Sequence, residues 1–208
     1  MRSFFIALFA GLALAGSSFA EAPNFRVPSE LANAAQALDG RVILGNPQGD
    51  VTLVEFFDYN CPYCRRSAQD MTKLIASDPN LKVVLINYPV LGIASIEVAR
   101  VALAYARQKH ARYAAFQSKI YEGRGVLSGE KALSVAVALG ANREKLINDA
   151  NSDQVTSMMK QAAKLGNDMN LQATPSFVVL TQAFVGDPGL EALRGIIASV
   201  RKCEKVAC

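Results

Sequence analysis

The sequence lacks tryptophan and contains one histidine and four cysteines among its 208 residues. It also lacks a clustered run of lysines and arginines, because basic and acidic residues are interspersed along the chain. Since proteins that bind nucleic acid usually carry such a basic tract, we expect no nucleic-acid partner. Beyond its first twenty residues, no segment is long and apolar enough to span a membrane, which takes roughly 20 residues. The missing tryptophan excludes no class of protein.

The first twenty residues have the pattern of a secretory signal peptide. Arg2 supplies a positive charge, an unbroken apolar stretch covers positions 4–15, and a small-x-small cleavage site ends at Ala20. A membrane anchor is the competing interpretation, but the apolar stretch is too short to span a bilayer. We therefore expect a signal peptide at 1–20 and an exported mature chain that is long enough for one domain with a substantial core.

The apolar periodicity of the mature chain predicts an α/β fold in which a helical block separates two groups of strands. Strand patterns occur at 41–44, 51–58, 82–88, 176–180 and 183–185. Helical patterns occur at 29–38, 61–76, 93–109, 112–121, 129–139, 143–150, 153–169 and 190–202. We expect Ser29, Ser128 and Ser152 to be N-caps. We also expect the last two strands to be bulged or joined differently, because the tight turn Thr181-Gln182 lacks the Gly or Asn that positive φ favours.

Two thiols two residues apart lie where a strand pattern changes to a helical one, in Cys61-Pro62-Tyr63-Cys64. A thiol at a helix N-terminus lies near the positive end of the helix dipole and near unpaired backbone N–H groups. Both favour the thiolate, which is the form that attacks disulfides. Half of a zinc site and a static disulfide are the alternatives. A proline within the pair, in an exported protein, fits a redox-active turn better.

A proline directly before an apolar strand, Pro175, lies far downstream of the cysteine pair. Taken alone it reads as an ordinary proline at the start of a strand. Taken with the cysteine pair, it predicts a cis Thr174–Pro175 bond that turns the Thr174 backbone toward the dithiol. We expect Thr174 and Pro175 to bind an extended substrate segment, which would pair with this backbone as an added strand.

The chain resembles the DsbA-like branch of the thioredoxin superfamily, and is more similar to the DsbA, Com1 and ScsC-type thiol-disulfide oxidoreductases than to thioredoxin itself. The resemblance rests on FFDYNCPYCR at 56–65 and on Thr174-Pro175. It covers most of the mature chain and implies a periplasmic protein with a thioredoxin fold interrupted by a helical domain. We accordingly expect a short N-terminal helical segment at 21–40 and a thioredoxin-like domain at 41–91 and 171–208. The helical insertion is expected at 92–170.

The resemblance also implies roles for individual residues. Cys61 is expected to be the attacking thiol and Cys64 the buried resolving thiol. Glu55, six residues before Cys61 in an apolar strand, is expected to be a buried acid that relays the proton of the resolving cysteine. Pro62 and Tyr63 are expected to tune the redox poise. DsbA itself carries histidine at the position of Tyr63, so we expect a less oxidising disulfide than that of DsbA.

Cys203 and Cys208 form a second close pair at the end of the chain. We expect a static structural disulfide between them. The last helix should then end near Cys203, because residues five apart on a continuous helix are too distant to pair without strain. A second redox-active or metal-binding pair is the alternative interpretation.

The sequence therefore predicts an exported protein-disulfide oxidoreductase that acts through Cys61 and Cys64. Oxidation of dithiols is the default direction, and isomerase or reductase activity is the alternative direction. We expect cysteine-containing exported proteins as substrates, an unidentified membrane protein as redox partner, a monomer, and neither a cofactor nor a metal. The second hypothesis is a non-enzymatic periplasmic protein that binds copper or zinc through the same cysteines, since thiolates select both metals.

Overall fold

The computed structural model describes residues 24–208, so the predicted signal peptide at 1–20 lies outside the described residues. The strands are β1 (Asn24–Arg26), β2 (Val42–Gly45), β3 (Val51–Phe57), β4 (Leu81–Asn87), β5 (Ser176–Val179) and β6 (Gln182–Val185). The helices are α1 (Ser29–Ala37), α2 (Pro62–Ser77), α3 (Ile93–Lys109), α4 (Tyr113–Tyr121), α5 (Gly129–Ala138), α6 (Arg143–Ala150), α7 (Asp153–Asp168) and α8 (Leu190–Cys203). A short 3-10 helix (His110–Arg112) precedes α4. None of these helices is long and apolar enough to cross a membrane.

The strands form one mixed sheet in the order β1-β6-β5-β3-β4-β2. β3 and β4 run parallel, in register from Val51 opposite Leu81 to Phe57 opposite Asn87. The other neighbouring pairs are antiparallel. β3 lies inside the sheet and is apolar at nearly every position, because helices cover both of its faces.

Alternate side chains of β3 belong to two separate hydrophobic cores. Leu53 and Phe57 point to the side on which α2, α8 and the helices α3–α6 pack. Val54 and Phe56 point to the other side, where they meet residues of α1 and α7. Glu55 lies on the same face as Leu53 and Phe57. The alternation of the strand therefore places this carboxyl group on the α2 side of the sheet.

The helices α3–α7 lie between β4 and β5 in the chain. α3 contacts α5, α6 and α7. The buried rings of Tyr105 and Phe116 join α3 to α4 and stack with 4.8 Å between their centroids. Ser128 and Ser152 accept backbone N–H bonds at the starts of α5 and α7, which confirms their prediction as N-caps.

The N-terminal segment differs from the prediction in two ways. Asn24–Arg26 forms an edge strand paired with β6, whereas we predicted only a helical segment at 21–40. Three residues with one half-buried side chain give too little alternation to detect. The N-cap position of α1 is occupied by Pro28, so the prediction of Ser29 as N-cap is wrong. Ser29 is already helical, and its hydroxyl donates to the Glu30 carboxylate.

The β5–β6 hairpin is more regular than predicted. Its register runs without interruption up to Val179 opposite Gln182, so there is no bulge, and the strands are joined differently, one residue earlier than Thr181-Gln182. The loop consists of Leu180 and Thr181, and Leu180 adopts a φ of 53°. The twist of the paired strands favours positive φ in such a two-residue loop, here at a residue that is neither Gly nor Asn.

Candidate active site

The cysteine pair lies at the junction of β3 and α2. Cys61 is the N-cap residue of α2, and Pro62 occupies the first helical position. Proline suits this position because the first N–H group of a helix has no acceptor within the helix, so the N–H that proline lacks is not needed there. Cys64 lies one turn inside the helix, and both residues are buried with free thiols.

Several hydrogen bonds favour ionisation of Cys61. The Cys64 side chain makes the strongest one, and the backbone N–H groups of Cys64 and Tyr63 and the Thr174 side chain supply the others. Together they lower the pKa of the Cys61 thiol to about 6, although partial burial opposes the shift. Cys61 therefore carries a substantial thiolate fraction at neutral pH, which is the reactive form.

The surroundings of Cys64 have the opposite effect. Burial raises the pKa of the Cys64 thiol far above its usual range, and the hydrogen bond to Cys61 and the nearby Glu55 carboxyl add to the shift. The backbone N–H of Asp58, 3.4 Å from Cys64 Sγ, only partly opposes it. Cys64 therefore stays a protonated thiol, whereas the neighbouring Cys61 ionises readily.

Glu55 projects from β3 into the same buried region and is 1% exposed. The Ser67 hydroxyl donates to Glu55 Oε1 at 2.8 Å. Desolvation raises the pKa of Glu55 to about 8 in spite of this hydrogen bond, and the charges of Asp187 and Cys61 add smaller contributions. The carboxyl group is therefore mostly protonated at pH 7. Our sequence analysis missed Ser67, although its spacing of three from Cys64 places both on one face of α2.

The loop before β5 completes the site. The Thr174–Pro175 peptide bond is cis, as predicted from the sequence. The Thr174 carbonyl oxygen lies 3.1 Å from Cys61 Sγ and accepts a hydrogen bond from it. The fold therefore brings this loop against the cysteine pair although 113 residues separate Thr174 from Cys61 in the chain.

Pro62 and Tyr63 are exposed on the outer side of the turn. The Arg66 guanidinium carbon lies 5.0 Å from the centroid of the Tyr63 ring. Arg66 also donates to the Asp187 carboxylate at 2.8 Å. Tyr63 thus contributes its backbone N–H to Cys61, while its ring contacts Arg66 and solvent.

A buried aspartate that our sequence analysis did not select holds the loops around the cysteine pair. Asp58 accepts hydrogen bonds from the backbone N–H groups of Asn60, Val90 and Leu91 and from the Ser95 hydroxyl, at distances from 2.7 to 2.9 Å. Four donors satisfy the buried carboxylate. The available signal was an aspartate in the turn before the cysteine pair. Its three distant partners could not be identified from spacing.

An exposed apolar surface, which we call the apolar rim, surrounds the cysteine pair. Its members are Tyr63, Val90, Leu91, Ile93, Ile96 and Val126. The hydrogen bonds of Asp58 hold the segment at 90–91 beside the turn. The Asn60 side chain both donates to and accepts from the backbone of Leu127, which fixes the segment that contains Val126. The rim is therefore anchored to Asp58 and Asn60, two polar residues in the turn before Cys61.

Cys203 and Cys208 are joined by a disulfide at the end of α8. The helix ends at Cys203, and Glu204 adopts a left-handed conformation that reverses the chain. Just before this end, Arg201 donates to Asp78, the residue that follows α2. The disulfide therefore lies near the C-terminal end of α2, whereas the Cys-x-x-Cys pair lies at its N-terminal end.

No metal site of the usual size is formed within residues 24–208. In this part of the chain no group of three or more His, Cys, Asp or Glu side chains lies close enough to hold an ion. Cys203 and Cys208 are bonded to each other, and His110 is exposed in the 3-10 helix. The described residues therefore do not fit the four-ligand zinc site that the sequence left open.

Three comparisons relate the chain to known proteins. A family profile described as Thioredoxin matches residues 37–199. The chain is similar to Disulfide bond formation protein D of Bacillus subtilis (strain 168), with 26% identity over 157 residues that cover 69% of each protein. It is also similar to the crystal structure of a thioredoxin-like oxidoreductase from Silicibacter pomeroyi DSS-3. That pair shares 36% identity and a TM-score of 0.76, over 82% of this chain and 98% of the other.

The thiol-disulfide exchange protein alpha-DsbA2 from Wolbachia pipientis has the same fold, with a TM-score of 0.71 and 24% identity over 83% of this chain and 99% of its own. The matched family profile spans β2 to β6, the helical block between β4 and β5, and most of α8. These findings confirm the predicted thioredoxin fold class. The chain belongs to the thioredoxin family and is a thiol-disulfide oxidoreductase of the DsbA type.

Proposed function

We propose that this protein oxidises pairs of thiols in exported proteins to disulfides. The observation that carries this direction is the lowered pKa of Cys61, about 6. A stabilised thiolate stabilises the reduced enzyme, and an enzyme whose reduced form is stable has a more oxidising disulfide. The shift is smaller than that of the strongest oxidants in the superfamily, whose nucleophile has a pKa of about 3.5. We therefore expect a moderate oxidant.

In the proposed reaction, a substrate thiolate attacks Sγ of Cys61 in the Cys61–Cys64 disulfide. The S–S bond breaks, a mixed disulfide forms at Cys61, and the electron pair passes to Cys64 Sγ. The second substrate thiolate then attacks the substrate sulfur of the mixed disulfide. This step releases Cys61 as a thiolate and leaves the substrate oxidised by two electrons. Attack falls on Cys61 because it is the less buried of the two sulfurs, and its lowered pKa makes it the better leaving group in the second step.

Glu55 is the proposed proton donor to Cys64. Burial raises the pKa of the Cys64 thiol, so the sulfur released in the first step takes up a proton. The pKa of Glu55, about 8, keeps a proton available at neutral pH in the same buried region. In the reverse direction, which a reductase or isomerase uses, the Glu55 carboxylate accepts that proton.

The apolar rim and the Thr174 loop suit extended or unfolded protein segments that contain cysteine. The rim offers large exposed apolar side chains around a reactive thiol, and such surfaces on soluble domains mark interaction sites. The backbone of Thr174 and Pro175 is the proposed docking strand beside Cys61. We infer from this that cysteine-containing exported proteins are the substrates.

The remaining features of the proposal rest on the sequence. The signal-peptide pattern at 1–20 supports export to the periplasm, where an unidentified membrane protein would reoxidise the cysteine pair. We propose that 41–91 and 171–208 form a thioredoxin-like domain and that 92–170 is a helical insertion within it. We also propose a monomer, because the segment 21–40 is short for an oligomerisation element, and a static role for the Cys203–Cys208 disulfide.

The reduction potential of the Cys61–Cys64 pair against a glutathione buffer tests the direction. We expect a value between about −120 mV, typical of DsbA, and about −200 mV, which is near protein disulfide isomerase. A potential near the −270 mV of thioredoxin would overturn the oxidase assignment and favour a reductase.

Trapping separates the enzyme from the metal-binding hypothesis. Cys64→Ser removes the resolving thiol, so the Cys61 thiolate should attack disulfides of oxidised protein substrates and accumulate as mixed disulfides with them. Cys61→Ser is the matched control and should trap none. Absence of mixed disulfides in both variants, together with tight copper binding by the reduced wild type, would favour the metal-binding hypothesis instead.

A further inference from the structure

A cavity lies behind the redox-active helix, between α2, α4 and the end of β2. Its volume is about 540 Å³, which is within the usual range for small-molecule sites. Its walls include Arg65, Ala68, Ala114, Gln117, Tyr121 and Glu122. Most of this surface is apolar, and α2 provides the longest wall. The cavity thus lies where the helical block meets the sheet domain, a common location for ligand sites.

One polar side chain on the cavity wall is available to a ligand. The Gln117 amide belongs to a residue that is 6% exposed, lines the cavity and makes no hydrogen bond with any described residue. The Tyr121 hydroxyl is also unpaired within residues 24–208, but it is fully buried and cannot be reached from the cavity. A ligand with a polar head group would supply a partner for the Gln117 amide.

A cation lies at the same end of the cavity. Arg65 is half-buried, donates one N–H to the Gly123 carbonyl at 2.9 Å and lies 5.7 Å from the centroid of the Tyr121 ring. No carboxylate among the described residues lies within ion-pair distance of Arg65. Glu122, which also lines the cavity, pairs instead with Lys119 at 2.6 Å. The free guanidinium donors of Arg65 are therefore available to an anion.

We propose that this cavity binds a small amphipathic monoanion, with its apolar body against α2 and its carboxylate at Arg65 beside Gln117. The apolar wall and the unpaired cation define this class of ligand by complementarity. The site lies apart from the Thr174 loop and does not depend on the direction of the disulfide chemistry. Because Arg65 directly follows Cys64, the ligand would contact the helix that carries the cysteine pair.

Naphthalene-2-carboxylate is a suitable probe, because it joins a rigid apolar body to one carboxylate. We would titrate it into the reduced mature protein and follow ligand-detected NMR saturation transfer and backbone amide shifts. Saturable binding is expected, with shifts at Arg65, Ala68 and Gln117. The neutral naphthalene-2-carboxamide should bind about tenfold more weakly, since it lacks the charge that Arg65 recognises.

Two exposed alanines on α4 provide a matched pair of variants. Ala114 lines the cavity, whereas Ala115 is equally exposed and does not. Ala114→Phe should narrow the cavity and weaken binding of the probe about tenfold or more, and Ala115→Phe should leave it unchanged. Arg65→Met should abolish the preference for carboxylate over carboxamide.

Gln117→Met is a second check that does not require the probe. It replaces the unpaired buried amide by an apolar side chain of similar shape, so the ligand-free protein should unfold at the same or a higher temperature. A large loss of stability would show that the amide has a structural partner and would overturn its assignment to the ligand.

Three results would overturn the proposal. The first is no saturable binding of the probe at millimolar concentration, which would leave a water-filled cavity. The second is equal binding by Ala114→Phe and the wild type, which would place the probe elsewhere, for example on the apolar rim. The third is stronger competition by a short peptide with a C-terminal phenylalanine. That peptide also joins an apolar ring to a carboxylate, so stronger competition would indicate that a protein segment occupies the cavity.

Discussion

At the scale of single residues, the pKa values of two thiols one helical turn apart are shifted in opposite directions. Cys61 at the helix N-cap position has a lowered thiol pKa because neighbouring donors stabilise its thiolate. Cys64 has a raised thiol pKa because it is buried and gives its proton to Cys61 as a hydrogen bond. This asymmetry makes Cys61 the better leaving group when a mixed disulfide is resolved. It also requires a proton source for Cys64, and Glu55 is the buried acid beside it.

Glu55 should make the free energy of unfolding fall as pH rises. In the unfolded chain its carboxyl ionises near pH 4.5, whereas in the folded protein it ionises near pH 8. Between these values the folded state holds a proton that the unfolded state has lost, so raising the pH favours unfolding. Glu55→Gln should remove this dependence and be more stable at pH 8 by about 3 to 5 kcal/mol.

Urea unfolding at pH 5 and pH 8 measures this effect. Both cysteines of the active-site pair should be replaced by serine in both proteins, so that thiol titration does not contribute. Equal pH dependence with and without Glu55→Gln would show that the carboxyl group is not desolvated as the structure indicates.

Ser67 should set how far the pKa of Glu55 rises. Its hydroxyl stabilises the Glu55 carboxylate at 2.8 Å, so Ser67→Ala should raise the pKa of Glu55 further. The fall in the free energy of unfolding should then extend to higher pH than in the wild type. Ser77→Ala is the control, because Ser77 is exposed at the other end of α2 and bonds only to backbone carbonyls. Identical pH profiles for both variants would contradict this role.

At the scale of elements, close packing between α7 and the end of β4 depends on a glycine. A Cβ atom at Gly166 would lie 2.6 Å from the Tyr88 ring, which real contacts do not allow. The Tyr88 hydroxyl also donates to Asn167 at 2.9 Å and to the Leu171 carbonyl at 3.2 Å, so the ring cannot move away without loss. This contact holds α7 on the face of the sheet opposite α2.

Gly166→Ala should therefore destabilise the protein by about 1 to 3 kcal/mol, the usual effect of overpacking. Gly195→Ala is the matched control, since Gly195 also lies within a helix but has no atom within 4 Å of the added Cβ. That variant should be stabilised by about 0.5 to 1 kcal/mol through helix propensity. Chemical denaturation of both variants measures the difference. Similar changes in stability for the two would argue against the Tyr88 contact.

At the scale of the whole molecule, the site combines three distant parts of the chain. β3 and α2 supply the cysteine pair, and the loop before β5 supplies Thr174. The segment from Val90 to Ile96, which leads into the helical block, supplies most of the apolar rim. Asp58 connects the first and third of these parts by accepting the N–H groups of Val90 and Leu91. The helical block is thus positioned to contact substrates that approach Cys61.

Leu91→Ser should therefore slow the oxidation of an unfolded protein substrate several-fold and leave the reaction with glutathione unchanged. Leu91 is 54% exposed on the rim, and its backbone N–H to Asp58 is retained in the variant. Val137→Ser removes a comparable exposed side chain, 38% exposed, from α5 outside the rim. Stopped-flow rates for both substrates make the comparison. An equal loss with glutathione would mean that Leu91 supports the thiol environment rather than docking.

The helices and most strands could be predicted from the sequence because their signals are local. Apolar periodicity gave α3 and α6 the same limits in the prediction and in the structure, and Ser128 and Ser152 marked the starts of α5 and α7. β1 escaped prediction because an edge strand of three residues derives its conformation from pairing with β6. The hairpin loop was not predicted correctly because the twist of the strands, rather than a residue preference, determined the conformation of Leu180.

The sequence alone determined that two thiols lie at a helix start and that a proline directly precedes β5. Spacing and residue type suffice for that, since helix N-termini favour thiolates wherever they occur. Only the tertiary structure decided which groups surround these residues. Ser67 on Glu55, the four donors on Asp58 and the Thr174 carbonyl on Cys61 are contacts across the fold. Burial and long-range hydrogen bonds set the pKa values of the site, and neither can be read from neighbours in the chain.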